Sequence, residues 1–229
     1  MTALTILEKG VPMKITEKPR HTHLVWDFNG TVLDDVLHGI RCVNPMLEAR
    51  GLAPIPDVAT YRTLFDFPIE DYYRRLGFDF EKESYDTVLA PEWVARYVAG
   101  EADCTLNEGV TETLRAVRAM GVPQLMLSAS RLEQLLAQLE RLGLSDAFSE
   151  VLGLDNIHAR SKTHLAEAWR ERHPDARPLF VGDTVHDAAV ARAIGADCVL
   201  FTGGHQCRER LASCGVPLID RIEDVLNYL

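Results

Sequence analysis

The chain has 229 residues with 24 basic and 34 acidic side chains, so its formal net charge at pH 7 is −10. Apolar residues make up 47% of the chain and charged residues 25%, which is typical of a globular protein with a sizeable core. No apolar run approaches the roughly 18 residues that a membrane-spanning helix needs, and the basic residues are scattered, so we expect partners other than membranes or nucleic acids.

The N-terminal segment and the cysteines indicate a cytoplasmic protein. Residues 1–22 contain no apolar stretch followed by a small-residue cleavage site, so we interpret them as an N-terminal extension rather than a targeting signal. The cysteines number five and form no CxxC pair, which favours free thiols. We therefore expect a reducing, cytoplasmic location.

Short apolar runs that end at a small or polar residue predict buried strands. These runs lie at residues 24–26, 125–127, 179–181 and 198–201, with a weaker candidate at 151–152. Helical periodicity predicts helices at residues 110–120, 132–142, 163–172, 186–194, 207–213 and 221–228. The alternation of strands and helices predicts an α/β fold, a doubly wound parallel sheet of the Rossmann-like kind.

Residues 38–103 interrupt this alternation. They contain five of the six tyrosines, several prolines and no convincing strand. We predict an inserted all-helical cap here, between the core segments 23–37 and 104–229. We interpret its aromatic residues as the core of the cap rather than as a substrate-binding box.

Polar side chains follow several of the predicted strands. Asp27, Ser128 and Asp183 each come directly after a short apolar run. Because ligands bind beyond the carboxyl ends of parallel strands, we expect these side chains to meet at one edge of the sheet. Two converging carboxylates repel each other unless a cation lies between them, and their oxygens suit Mg²⁺.

The same residues belong to a series of motifs that resembles the haloacid dehalogenase superfamily, in particular its phosphoglycolate-phosphatase-like members. The first motif is similar to Asp27-Phe28-Asn29-Gly30-Thr31-Val32 and the fourth to Gly182-Asp183-Thr184-Val185-His186-Asp187. Ser128 and Lys162 occupy the places of the second and third motifs. The order and spacing match over almost the whole chain from residue 23, and the helical insert lies where this family has a cap.

This resemblance implies a phosphatase that acts on a small phosphorylated metabolite. Asp27 would be the nucleophile and would form an aspartyl phosphate. Mg²⁺ would bind to Asp27, to the backbone carbonyl of Asn29 and to Asp183, with Asp187 as a further ligand or as a partner of a ligand.

The resemblance also implies how the phosphate would be held. Ser128 and Lys162 would bind the phosphoryl oxygens, and the backbone N–H groups of Gly30 and Ala129 would complete the anion site.

We expect the protein to act as a monomer or a homodimer.

Asn29 departs from the family pattern, which usually has an aspartate that transfers protons at this position. An amide does not exchange protons near neutral pH, and loss of such a group typically costs about 10² to 10⁴ in rate. The alternatives are a phosphotransferase, a hydrolase of acyl phosphates or phosphonates, and a non-catalytic phosphate-binding protein. Other proton carriers that we consider are Asp34, Asp35, His186 and His205. We expect Asn29→Asp to speed the hydrolysis of esters with poor leaving groups.

Overall fold

The computed structural model describes residues 19–158 and 161–229, so most of the predicted N-terminal extension lies outside the described residues. In chain order, the strands are β1 (His23–Trp26), β2 (Leu33–Asp34), β3 (Thr105–Leu106), β4 (Gln124–Arg131), β5 (Glu150–Leu154), β6 (Pro178–Gly182), β7 (Asp197–Phe201) and β8 (Leu218–Ile219). The helices are α1 (Val36–Glu48), α2 (Val58–Leu64), α3 (Ile69–Leu76), α4 (Ala90–Gly100), α5 (Val110–Ala119), α6 (Leu132–Arg141), α7 (Thr163–Arg172), α8 (Val185–Ala193) and α9 (Arg208–Ala212).

The main sheet has six parallel strands in the order β5-β4-β1-β6-β7-β8. Side chains of β1 alternate between its faces, as in any strand: Leu24 and Trp26 pack into one apolar cluster, and Val25 packs into the other. Both faces of the sheet are therefore covered, and the predicted α/β fold class is confirmed.

Two details of the predicted core differ from the structure. Residues 221–228, predicted as a helix, contain a 3₁₀ helix over Ile222–Asn227. The short strand β8 and the antiparallel pair β2–β3 do not appear among the predicted strands. Each of these three strands has two residues, too few to show an apolar periodicity.

The helices of the insert pack around an apolar core of their own. A π-helical turn (Tyr85–Leu89) leads into α4, and a 3₁₀ turn (Glu101–Asp103) follows it. The pair β2–β3 lies where the chain leaves the sheet domain and returns to it, with Leu33 opposite Leu106. Throughout the described residues, every helix is too short or too polar to cross a membrane.

Candidate active site

The carboxyl edge of the sheet brings together side chains that are far apart in sequence. Asp27 directly follows β1, Asp183 directly follows β6, and Ser128 lies within β4 where its pairing with β5 becomes irregular. Lys162 directly precedes α7 and reaches the same place. The strands thus position Asp27, Ser128 and Asp183 at this edge of the sheet, as the sequence suggests.

Three buried carboxylates form the centre of this edge. Asp27, Asp183 and Asp187 are 8%, 0% and 2% exposed, and each offers an oxygen that lies within 4.8 Å of the others. The Lys162 ammonium group donates to Asp27 Oδ1, to the Leu127 carbonyl at 3.1 Å, and contacts Asp187 Oδ1 at 2.7 Å. One ammonium group therefore pairs with two of the three carboxylates, which leaves an excess of negative charge among hard oxygen ligands. Such a donor set fits Mg²⁺.

Burial and mutual repulsion perturb the acidities of this cluster. Burial raises the pKa of Asp27 well above its usual value, although the charge of Lys162 opposes this. Burial also raises the pKa of Asp183 to about 6, against the opposing effect of His205. Burial would raise the pKa of Asp187 too, but Lys162 outweighs it, so that this pKa lies below its usual value. A cation at the cluster would favour the ionised carboxylates.

Hydrogen bonds fix the orientation of two of the three carboxylates. Asp183 accepts from the Thr31 hydroxyl at 3.0 Å and from the His205 backbone N–H at 2.6 Å. Asp187 accepts from the Thr184 hydroxyl at 2.6 Å, and the same two residues form the capping box of α8. Asp187 thus caps a helix and contacts Lys162 at once.

Asn29 is held by three polar side chains through both ends of its amide. Its Nδ2 donates to Asp35 Oδ2 at 2.7 Å and to the Tyr97 hydroxyl at 2.9 Å. Its Oδ1 accepts from the Ser130 hydroxyl at 2.8 Å. The Asn29 side chain therefore connects β4 to the cap.

Asp35 and His205 form a buried pair next to Asn29. His205 Nε2 lies 3.2 Å from Asp35 Oδ1, and its Nδ1 lies 2.9 Å from the Tyr61 hydroxyl of the cap. Burial lowers the pKa of His205, but the charge of Asp35 outweighs this and raises it to about 9. Burial raises the pKa of Asp35, but His205 outweighs this and holds it below its usual value. Both shifts favour the ionised form of the pair at neutral pH.

The other predicted residues occupy different surroundings. The Gly30 N–H donates to Asp35 Oδ1 at 2.8 Å, and a Cβ at Gly30 would lie 2.4 Å from Asp183 Oδ2, so this position requires glycine. Ala129 and His186 line the cleft above the carboxylates. Asp34 is exposed in β2 and lies outside the cleft lining.

Several residues of the site have no clear signal in the sequence. Ser130 lies two positions after Ser128, so strand alternation could have placed both on one side. Tyr61 and Tyr97 come from the cap, and their contacts with Asn29, Asp35 and His205 depend on how the cap packs.

A cleft of about 1130 Å³, open solvent included, lies between the sheet edge and the cap. Its floor contains the carboxylates, Lys162 and Ser128. Its cap side is apolar and mostly aromatic, and is formed by Tyr61, Phe65, Phe67, Ile69, Tyr72, Tyr73, Tyr85, Ala90, Trp93, Val94 and Tyr97. Five of these aromatic residues, Tyr61, Phe65, Tyr72, Tyr73 and Tyr85, also belong to the core of the cap. The same side chains therefore stabilise the cap and face the cleft.

An α/β sheet with buried carboxylates at its carboxyl edge and a helical cap above them defines a class of hydrolases, and comparisons identify the family. The profile of haloacid dehalogenase-like hydrolases matches residues 24–201. The chain belongs to this family, which confirms the family resemblance and the expectation of an enzyme.

Individual relatives agree with this assignment. The phosphoglycolate phosphatase of Rhodobacter capsulatus is 30% identical over 190 residues, which cover 80% of this chain and 85% of the relative. That of Synechococcus elongatus is 27% identical over 213 residues, covering 89% and 95%. A haloacid dehalogenase-like hydrolase from Streptococcus pneumoniae shares the fold with a TM-score of 0.76 at 19% identity, covering 91% of this chain and 98% of that one.

Proposed function

We propose that the protein is a Mg²⁺-dependent phosphatase that hydrolyses a small phosphorylated metabolite through an aspartyl phosphate at Asp27. The observation that supports this most directly is the buried group of Asp27, Asp183 and Asp187 with Lys162 among them. The curated relatives named above are phosphoglycolate phosphatases, which supports a phosphate monoester as the substrate.

Asp27 is the nucleophile in this proposal. An oxygen of its carboxylate attacks phosphorus, the bond from phosphorus to the leaving oxygen breaks, and water then hydrolyses the aspartyl phosphate. Lys162, already in contact with Asp27, neutralises charge on the phosphoryl oxygens, and Ser128 and the Ala129 N–H hold them by hydrogen bonds. The Gly30 N–H donates to Asp35 Oδ1 and to the Leu33 carbonyl, and would have to leave both acceptors to join them.

Mg²⁺ would be held by the carboxylates of Asp27 and Asp183, the Asn29 carbonyl and, directly or through water, Asp187. When bound, it neutralises phosphate charge and orients the transferred group. The protein's own contribution is to keep Asp183 and Asp187 fixed by Thr31, Thr184 and the His205 N–H, so that the oxygen ligands are already arranged.

A second candidate function is the hydrolysis of acyl phosphates or transfer of the phosphoryl group to another acceptor. Asn29 favours it, because its amide is held by Asp35, Tyr97 and Ser130 and has no proton to give a leaving group. Such a site is best suited to leaving groups that depart without protonation.

Turnover of phosphate monoesters and acetyl phosphate, measured with Mg²⁺ and after chelation, tests these proposals. We expect chelation to abolish turnover and Mg²⁺ to restore it. Asp27→Asn should lower kcat roughly 10⁴-fold or more, and acid quenching with borohydride reduction should locate the phosphoryl group on the Asp27 peptide. Asp34→Asn, which changes an exposed neighbouring carboxylate, is the matched control and should leave kcat near that of the wild type.

Each alternative gives a different result. Turnover of acetyl phosphate alone, or transfer to added alcohols in preference to water, would favour the second candidate. Turnover that resists chelation would contradict the metal site. Wild type and Asp27→Asn that are equally inactive towards every compound, although they bind phosphate, would indicate a non-catalytic phosphate-binding protein.

A further inference from the structure

The cleft has two chemically different sides. The floor is charged, whereas every described cap residue that lines the cleft, apart from Gly39, has an apolar or aromatic side chain. The half-buried rings of Phe67 and Trp93 belong to this lining, together with the buried rings of the cap core. A leaving group that extends from the phosphate towards the cap therefore meets aromatic surface.

The basic residues of the described cap are engaged elsewhere. Arg62 donates to the carbonyls of Gly203 and Gly204, and Arg41 is exposed outside the cleft lining. The remaining cap cations form ion pairs with acidic residues: Arg50 with Glu83 and Glu92, Arg74 with Asp71, Arg75 with Asp66, Lys82 with Asp79, and Arg96 with Glu92. Among the described residues that line the cleft, Arg131 of β4 carries a guanidinium group, and this group pairs with Glu133. A short carboxylate-bearing leaving group that extends towards the cap would thus lose water beside aromatic rings without a cap cation to compensate, which is unfavourable.

Two polar atoms in the lining lack partners. The Tyr72 hydroxyl is buried without a hydrogen-bond partner, in a side chain that is only 3% exposed. His186 Nε2 is also without a partner, and its ring stacks on Phe67 at a centroid distance of 4.8 Å. Buried polar groups are normally satisfied by protein, water or a ligand, so these two atoms are open to a hydrogen bond from a molecule bound in the cleft.

We infer that the substrate is a phosphate monoester of a ring-bearing, largely apolar alcohol with a hydrogen-bonding group that reaches Tyr72 or His186. This inference rests on the proposed phosphatase function and names its substrate class. The ring would pack on Phe67, Trp93 and the buried tyrosines, where removal of an aromatic surface from water is favourable. Burial raises the pKa of Tyr72, so its hydroxyl stays protonated and can donate.

The first experiment compares esters whose leaving oxygens are chemically similar. With Mg²⁺, we expect kcat/KM for 2-phenylethyl phosphate to exceed that for ethyl phosphate about tenfold or more, the effect of burying a ring of this size. It should also exceed that for phosphoglycolate. Equal values for the two alkyl esters, or a higher value for phosphoglycolate, would overturn the inference.

Matched variants test whether the cleft rings cause this preference. Phe67→Leu should reduce the ratio of the 2-phenylethyl to the ethyl value several-fold, because it removes a ring from the lining. Phe80→Leu removes a half-buried ring that packs on the same cap core outside the cleft lining, and should leave the ratio unchanged. An equal fall in both variants would mean that the cap merely loosens, and would contradict the inference.

The proposed hydrogen bond between the Tyr72 hydroxyl and the leaving group is tested with Tyr72→Phe. Among the 2-(hydroxyphenyl)ethyl phosphates, at least one isomer should have a higher kcat/KM than 2-phenylethyl phosphate, and Tyr72→Phe should bring the ratio of the two values close to one. If Tyr72→Phe lowers both values equally, the hydroxyl does not bind the leaving group.

Binding of phosphonates separates failure of this inference from failure of the phosphatase function. We expect 3-phenylpropylphosphonate to bind about tenfold more tightly than propylphosphonate in calorimetry with Mg²⁺. Tight binding without turnover of any ester would overturn the phosphatase function and leave the ligand class standing. Turnover of phosphate esters without a preference for the phenyl-bearing ester or the phenyl-bearing phosphonate would overturn the ligand class alone.

Discussion

The sheet domain and the cap contribute chemically different surfaces to one cleft. The sheet edge concentrates carboxylates at 0–8% exposure and balances them with the buried Lys162. The cap presents aromatic rings to the cleft and keeps its described cations, apart from the exposed Arg41, in ion pairs or on backbone carbonyls. The charged groups of the cleft are thus separated from its aromatic surface.

The two halves meet at a small polar junction. Asp35, His205 and Tyr61 link the start of α1, the loop after β7 and α2 by hydrogen bonds. If charge dominates the sheet edge and packing dominates the cap, substitutions should lower the free energy of unfolding most at the sheet edge. The loss should be smaller at the junction and smallest on the cap side of the junction.

The largest effect should follow loss of the only ammonium group that the described residues place among the three carboxylates. Lys162→Gln leaves Asp27 and Asp187 buried without their cation, which typically costs about 3 to 5 kcal/mol. The free energy of unfolding in urea with a chelator measures this loss. Added Mg²⁺ should recover part of it, because the metal ion replaces the missing positive charge.

A matched control separates this effect from the loss of any lysine. Lys82, with an 81% exposed side chain, pairs with Asp79 on the surface of the cap, and Lys82→Gln should change the free energy of unfolding little. Equal losses in the two variants would show that the sheet edge is not the region where charge matters most.

The predictability from sequence differs between the same two regions. Asp27 and Asp183 follow strands whose apolar runs are visible in the sequence, so their edge of the sheet could be predicted. The pairing of Asp35 with His205 joins residues 170 positions apart and depends on how two loops pack. Local patterns contain no information on such a contact, and they also leave open which cap ring faces the cleft and which only packs the cap.

The junction should make stability depend on pH. The pKa of His205 is raised from 6.5 to about 9 by Asp35, so its contribution to stability is complete below about pH 6.5 and is lost as the pH rises through 9. Without metal, the free energy of unfolding of the wild type should fall by on the order of 3 kcal/mol more than that of His205→Gln between pH 6 and 10. The exposed His164→Gln is the control. Parallel pH profiles for wild type and His205→Gln would contradict the ion pair.

Asn29→Asp tests the junction from its other side, and the structure changes what we expect of it. A carboxylate at position 29 would face Asp35 Oδ2 across the 2.7 Å that the amide now bridges. At pH 8 this repulsion should cost about 2 kcal/mol of stability and offset the gain of a proton carrier. The cost should shrink as the pH falls, because the repulsion raises the pKa of the shared site.

The double variant Asn29→Asp with Asp35→Asn restores an amide opposite a carboxylate. We expect it to recover most of the lost stability at pH 8 and to hydrolyse alkyl phosphates faster than Asn29→Asp alone. Asp34→Asn in place of Asp35→Asn is the control, since Asp34 is exposed and the Asn29 amide donates to Asp35. Recovery by both second substitutions would indicate a general effect of net charge rather than a specific pair.

The smallest effect should come from the cap side of the junction, where Tyr61→Phe keeps the ring packing and removes a hydroxyl 2.9 Å from His205 Nδ1. Burial raises the pKa of Tyr61, so the hydroxyl accepts from protonated His205 at pH 7 and donates to neutral His205 at pH 10. Its loss should therefore cost about 1 kcal/mol at both pH values, with the larger loss at pH 7, where the bond is charge-assisted. Tyr228→Phe, at the other end of the chain, is the control for loss of a tyrosine hydroxyl. If Tyr61→Phe loses stability at pH 7 but not at pH 10, the hydroxyl bonds only to the charged histidine. The attachment of the cap would then depend on the Asp35–His205 ion pair more than on the packing of its rings.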